Sequence, residues 1–257
     1  MGHRFPSACS ELLLRWFDRG LIEPCDMRED IGRTGPMLPD RPHDRNGSPG
    51  LITGENARGM RGRRRSGRVE RPSGHHLGMQ TPPVSVAAGG DLELRLLDED
   101  DAVALQRAID ESRDHLAPFM PFATTDPSDV AFRRSWIGEC REAFFAGRLF
   151  QYGIIRADTV IGGCSIHPID DRTASIGFWV HTAHVRRGVA SAVAAALTQA
   201  ALEAGCEIVR IRHDRANAAS GSIAARLGYE RIGEEPHSID APGQTGASVV
   251  WVLTRTV

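Results

Sequence analysis

From residue 91 onward, apolar and polar positions follow regular periods. Leu92-Glu93-Leu94-Arg95-Leu96 alternates, the mark of a half-buried strand. Acids at Asp98, Glu99, Asp100 and Asp101 suit the positive end of a helix dipole, and a helix through Ser112 follows with Leu105, Ala108 and Ile109 on one face. A loop carrying Pro118, Pro121 and Pro127 separates it from a second helix over 128–146. Strands are predicted over 150–156, 159–167 and 173–181, with turns at Ala157-Asp158 and Asp170-Asp171-Arg172. A long helix over 188–204 sets Val189, Val193, Ala196, Leu197, Ala200 and Ala201 on one side. A strand over 207–213, a helix over 218–227 and strands over 229–233 and 248–256 complete the chain. This order predicts an α/β (α+β) fold: a mixed, mainly antiparallel central sheet with helices on both faces.

The first 78 residues have different physics. They hold 14 Arg, 10 acids, 12 Gly and 7 Pro, with no sustained period. Only 11–22 has a helical stripe, formed by Leu12, Leu13, Trp16 and Phe17. Such a segment buries too little apolar surface to offset its ordering entropy. The expectation is a disordered Arg/Gly/Pro-rich leader over 1–88 and a folded domain over 89–257. Arg61, Arg63, Arg64, Arg65 and Arg68 are a candidate phosphate-backbone contact, but without interleaved aromatics a solvated basic linker fits better, so nucleic-acid binding is disfavoured. A start of translation at Met79 is a further expectation for this leader.

Composition narrows the chemistry. Apolar residues are 41%, charged 25%, net charge −2, and no run approaches ~18 uninterrupted apolar residues, so no membrane span is expected. The 31 basic residues are all Arg, which excludes Schiff-base lysine chemistry and a Walker-type phosphate loop. The 5 cysteines lack CxxC spacing; a reduced, cytoplasmic protein without a metal is the natural expectation.

Two segments carry candidate chemistry. In Arg186-Arg187-Gly188-Val189-Ala190-Ser191 a strand enters a short loop and a helix begins at once. First-turn amides have no intrahelical partners and carry the positive dipole end, which suits a pyrophosphate. Gly188 lets the backbone approach, and Arg186 and Arg187 add charge-assisted contacts. Later, Asn217 reads as a helix N-cap and Gly228 as a left-handed C-cap.

Together these segments resemble the GNAT superfamily of N-acetyltransferases, and within it the Rim-type branch that acetylates protein N-terminal amines. That family's Gln/Arg-x-x-Gly-x-Gly/Ala motif stands here as Val185-Arg186-Arg187-Gly188-Val189-Ala190. The branch's Asn-x-x-Ser and following Gly-Phe/Tyr stand as Asn217, Ser220 and Gly228-Tyr229. The segments 115–122, 161–163 and 176–180 are also similar, and the likeness spans about 91–256. The resemblance implies a GNAT-like sheet, acetyl-CoA as co-substrate, and direct transfer to an amine. It puts the diphosphate on amides from Arg186 to Ser191 and the pantetheine along Phe178–His181. It implies Val180 N–H as the donor polarising the thioester carbonyl, Asn217 on the pantetheine arm, and Ser220 as the hydroxyl serving the departing thiolate.

Two positions depart from the pattern. Val185 replaces Gln or Arg, and Ser175 stands where many relatives have a Glu that serves as base or water anchor. An α-amine with pKa near ~8 needs little help losing its proton. His167, His181 and His184 flank the expected site, with His181 the preferred proton relay; strand-end surface residues are the alternative for each. Phe119, Met120 and Phe122 are candidates for the acceptor cleft, or for core packing. Asp126, Glu139 and Glu142 read as solvated charge, Trp136, Trp179 and Trp251 as core, and Cys164 as an inert thiol. The acceptor is a protein N-terminus or a small amine such as a polyamine or aminoglycoside. A non-catalytic acetyl-CoA sensor is the reading from another class, and the partnership of two copies as a homodimer stays open.

Overall fold

Strand Thr159–Pro168 sends Val160 to one apolar layer and the next residue, Ile161, to another. That period-2 alternation is why the sheet takes helices on both faces. The computed structural model describes residues 79–255. Residues 1–78 of the leader, with the helical stripe over 11–22 and the Arg61–Arg68 cluster, lie outside the described residues.

Chain order is β1 (Ser85–Ala87), β2 (Leu92–Arg95), α1 (Ala102–Leu116), α2 (Val130–Phe145), β3 (Phe150–Arg156), β4 (Thr159–Pro168), β5 (Thr173–Val180), α3 (Val189–Glu203), β6 (Ile208–Asp214), α4 (Ala218–Arg226), β7 (Glu230–Pro236) and β8 (Ala247–Thr254). A single helical turn, Phe122–Thr125, sits between α1 and α2. The eight strands form one sheet in the order β1-β2-β3-β4-β5-β6-β8-β7. Every pair is antiparallel except β5 with β6. The mixed, mainly antiparallel sheet expected from the sequence is therefore present.

Local chemistry sets the element ends. Asp98 caps the turn ahead of α1, accepting from Asp100 N–H, while Asp101 accepts from Asp98 N–H and pairs with Arg95 at 2.9 Å. The Ala157-Asp158 turn between β3 and β4 has φ of 46° and 59°, the left-handed pair of a type I′ hairpin. One layer packs α3 through Val193, Ala194 and Leu197 against Ile154, Ile161 and Ile176; the other packs α1 through Leu105 and Ile109 against Ile155 and Val160. Each buried Val, Leu or Ile side chain here contributes about 1.5–3 kcal/mol.

The domain begins earlier than residue 89. Residues 79–88, assigned to the leader on composition, are stitched to the fold. Gln80 N–H donates to Ala204 at 2.7 Å, Tyr152 hydroxyl donates to Pro83 C=O at 2.9 Å, and Ser85–Ala87 pairs with β2. Main-chain bonds hold this edge, which is why its side-chain pattern gave no sign of it.

Candidate active site

The sheet opens where its one parallel pair ends. β5 and β6 pair at Thr173–Ile208, Ala174–Val209, Ser175–Arg210 and Ile176–Ile211, and no further. Beyond that point β5 runs on beside β4 as far as Val180, and β6 runs on beside β8 to Asp214. Backbone groups alternate sides along a strand. His181 N–H donates to Ile161 C=O of β4 at 2.8 Å, so the main-chain groups of Val180 and Phe178 face the other way, into the wedge.

A cleft of about 710 Å3 occupies that wedge. Phe178, Asn217 and Ser220 line it, with Phe119 and Met120 from the α1–α2 connection and His237 from the end of β7. The β7–β8 loop closes its rim: Gly243 N–H donates to Pro118 C=O at 2.8 Å and Gln244 Nε2 to Phe119 C=O at 3.3 Å. A second cleft of about 880 Å3 lies toward α1 and α2 and is largely apolar, walled by Trp136 and Trp179. Met120, Gly177 and Phe178 line both, so the two spaces meet there.

The start of α3 has the form expected for an anion cradle. Gly188 is the N-cap residue at φ 79°, with no side chain capping it, and the first helical bond runs from Ala192 N–H to Gly188 C=O at 3.0 Å. The N–H groups of Val189, Ala190 and Ser191 therefore precede any intrahelical bond. A Cβ on Gly188 would meet nothing within 4 Å, so the space before these amides is open. Arg186, at φ 60°, and Arg187 are exposed beside it. Arg226, at the end of α4, donates to Ser191 Oγ at 3.3 Å and brings a third guanidinium that sequence reading missed. His184 is held below its usual range by partial burial and by the positive field of His181, Arg156 and Arg187.

Asn217 caps α4 as expected, its side-chain oxygen accepting from Ser220 N–H at 3.3 Å. Gly228 is left-handed at φ 80°. His181 has a different occupation from the relay foreseen for it. Its Nδ1 accepts from Ala183 N–H at 3.0 Å, bracing the β5–α3 connection from within, and its Nε2 lies 3.0 Å from Glu111 Oε2, tying that connection to α1. His167 sits in the apolar cleft with Nε2 2.6 Å from Ser165 Oγ, and burial pushes it down to about 3. Ser175 is buried and close to Arg210 C=O.

Phe122 is a buried part of the α1 layer with its ring centroid 6.0 Å from that of Trp179, while Phe119 and Met120 reach the wedge. Trp136, Trp179 and Trp251 pack against the core as expected; Trp136 and Trp179 also wall the apolar cleft, and Trp251 donates to His213 Nε2 at 2.9 Å. Asp126 is not solvated: it is buried against Arg133 at 3.2 Å, and Arg133 also donates to Gln106. Burial pushes the Asp126 carboxyl up against the pull of that guanidinium. Cys164 is buried and its thiol is raised by burial, so it is inert toward nucleophilic chemistry.

The acetyltransferase (GNAT) domain family matches residues 91–230. The chain belongs to this GNAT acetyltransferase family. A Bacillus subtilis (strain 168) protein named "Putative ribosomal N-acetyltransferase YdaF" is 27% identical over 168 residues, covering 64% of this chain and 91% of that protein. Two solved structures share the fold. The microcin C7 self-immunity acetyltransferase MccE, solved with acetyl-CoA and AMP, matches at TM-score 0.62 and 16% identity, covering 68% of this chain and 99% of that one. RimL, a ribosomal L7/L12 α-N-protein acetyltransferase solved with coenzyme A, matches at TM-score 0.61 and 20% identity over 66% and 97%. The GNAT chain described here is thus an N-acetyltransferase, similar to Rim-type enzymes among others. No helix among its described residues is long and apolar enough to cross a membrane.

Proposed function

We propose that this GNAT protein transfers acetyl from acetyl-CoA to the α-amine of a protein N-terminus. The observations that carry the co-substrate are the wedge, with main chain at Phe178 and Val180 turned away from β4, and the uncapped amides of α3, the next helix after β5 in the chain. The residues fit the group on their own chemistry. Open space before a helix start flanked by Arg186 and Arg187 suits a diphosphate, and a strand edge without a neighbour suits an extended amide arm. Bound acetyl-CoA supplies an activated acyl carbon.

The chain's residues then have separable tasks. The amides of Val189, Ala190 and Ser191, with Arg186 and Arg187, hold the diphosphate, and Arg226 orients Ser191. Phe178 and Asn217 hold the pantetheine arm. Val180 N–H points into the wedge and donates to the thioester carbonyl oxygen as charge develops there. Ser220 supplies a hydroxyl proton to the departing sulfur. Phe119 and Met120 flank the acceptor, with Phe122 behind them. His181 is a positioning residue that holds the start of the α3 connection.

The N-terminal acceptor is supported by the likeness to YdaF and RimL, and by an apolar cleft that joins the wedge at Met120. The likeness to MccE, which was solved with AMP, favours a small-molecule amine as the second reading. Coenzyme A release measured against peptides beginning with serine or alanine, polyamines and aminoglycosides separates the two. Turnover confined to peptides supports the first. Turnover confined to small amines replaces it with the second. Coenzyme A binding without turnover makes the protein a sensor.

A further inference from the structure

We infer that His237 is the base that takes the proton from the acceptor amine, with Asp214 as its positioning residue. The inference rests on the acetyl-transfer reading of the same cleft and fills the place left by Ser175.

His237 follows the last residue of β7, and its side chain is 2% exposed. Its Nε2 lies 2.9 Å from Asp214 Oδ2. Asp214, at the end of β6, also accepts from Ala216 N–H at 2.8 Å, Thr245 N–H at 2.7 Å and the Thr245 hydroxyl at 3.1 Å. Burial alone would raise the Asp214 carboxyl, but these donors outweigh it and hold it below the usual carboxylate range. An ionised carboxylate only accepts, so in its neutral form the His237 ring carries its proton on Nε2. Nδ1 then presents a lone pair. It is shielded from solvent and meets no hydrogen-bond partner among the described residues. A buried acceptor left so is costly, and a donor arriving from the cleft that His237 lines removes the cost.

His184 also has an Nδ1 without a partner among the described residues but lines neither cleft, and the remaining histidines near the site are occupied. His213 lines the cleft too, but its Nδ1 donates to Asp214 C=O at 2.8 Å and its Nε2 accepts from Trp251. His181 is engaged with Glu111 and Ala183, and His167 lines the apolar cleft beside Ser165. The ionisable groups packed around His237 are few. β6 brings Asp214, His213 and Arg212, and β7 brings Glu235, which pairs with Arg212 at 3.3 Å. On the same wall α4 contributes Asn217 and Ser220, and the α1–α2 connection contributes Phe119 and Met120, none of which titrates in this range.

The step balances. His237 Nδ1 takes one proton from the acceptor ammonium. The freed nitrogen lone pair bonds to the thioester carbonyl carbon, and the C–S bond breaks with its electron pair going to sulfur. The second amine proton reaches that sulfur through Ser220 Oγ, and His237 releases its proton to solvent.

The test uses His237→Gln in the full chain, since a Gln amide can still donate to Asp214 but is not a base. With an accepted peptide, kcat/KM falls roughly 100-fold near pH 7. The deficit shrinks above pH ~8, where the amine deprotonates unaided. Imidazole restores part of the rate to His237→Ala. Coenzyme A affinity by calorimetry stays within about twofold, which also verifies folding. Histidine nitrogen NMR of the unliganded wild type shows the His237 proton on Nε2. A His237→Gln rate within about threefold of wild type across the pH range, or the proton on Nδ1, overturns the base while leaving acetyl transfer standing. Absence of turnover by wild type with every amine overturns the acetyl-transfer reading, and the base with it.

Discussion

Ile176 of β5 and Ile211 of β6 form the last rung of the sheet's one parallel pair, and past them the two strands part. The parting is enforced from both sides. β5 stays with β4 because Gly162 and Gly163 of β4 lie tight against it, where a Cβ on Gly162 would strike the Trp179 carbonyl. β6 stays with β8 through Asp214–Ser248.

Gly162→Ala should therefore push β5 toward the wedge. The expected results are a stability loss of about 1–3 kcal/mol in urea unfolding and weaker coenzyme A binding. Unchanged stability and binding would mean β5 is not held from that side.

Ser220→Ala should lower turnover by roughly 10–100-fold while leaving coenzyme A affinity within about twofold, since its backbone N–H still meets the Asn217 cap. Release assays and calorimetry on one preparation check both.

The Asp126–Arg133 pair is buried on both sides, at 4% and 1% side-chain exposure. Removing one partner strands a buried charge, so Arg133→Met should cost about 3–5 kcal/mol. The double replacement Asp126→Leu with Arg133→Met should cost clearly less. Urea midpoints for the three proteins check this.

Much of this site is local in sequence, and that part was legible. Gly188 before a helix, Asn217 as a cap, Gly228 as a left-handed stop and Ala157-Asp158 as a tight turn are each set by one or two residues and their neighbours. Seven of the eight strands were legible from alternation, apolar runs and turn signals, and β1, a three-residue edge held by main-chain pairing, was not. What pattern could not give is long-range pairing. Asp214 and His237 are joined only because β6 and β7 both pair with β8 and the loop between β7 and β8 turns back. Asp126 read as solvated because nothing nearby in sequence announces that Arg133 is buried against it. Arg226 looked like an ordinary last-turn cation until the packing of α4 set it beside Ser191.

Asp214 also predicts an acid limit. Its carboxyl is lower in the folded state than in the unfolded chain, so the stability it adds is present above the unfolded value of 3.8 and is lost as pH falls through the folded one. Unfolding followed from pH ~7 to pH ~3 should lose stability at the acid end, and Asp214→Asn should be less stable at neutral pH with a shallower acid slope. Equal slopes would show that this carboxylate is not held by the fold.

The central claim is that the free amides opening α3 at Gly188 grip the diphosphate of acetyl-CoA. Calorimetric titration of the full chain with coenzyme A tests it most directly, with Gly188→Glu as the control that puts a negative side chain and a strained left-handed backbone at the cradle. Saturable heat for the wild type, lost in Gly188→Glu while its secondary structure persists, is the predicted result. No heat for the wild type, or equal heat for the variant, contradicts it.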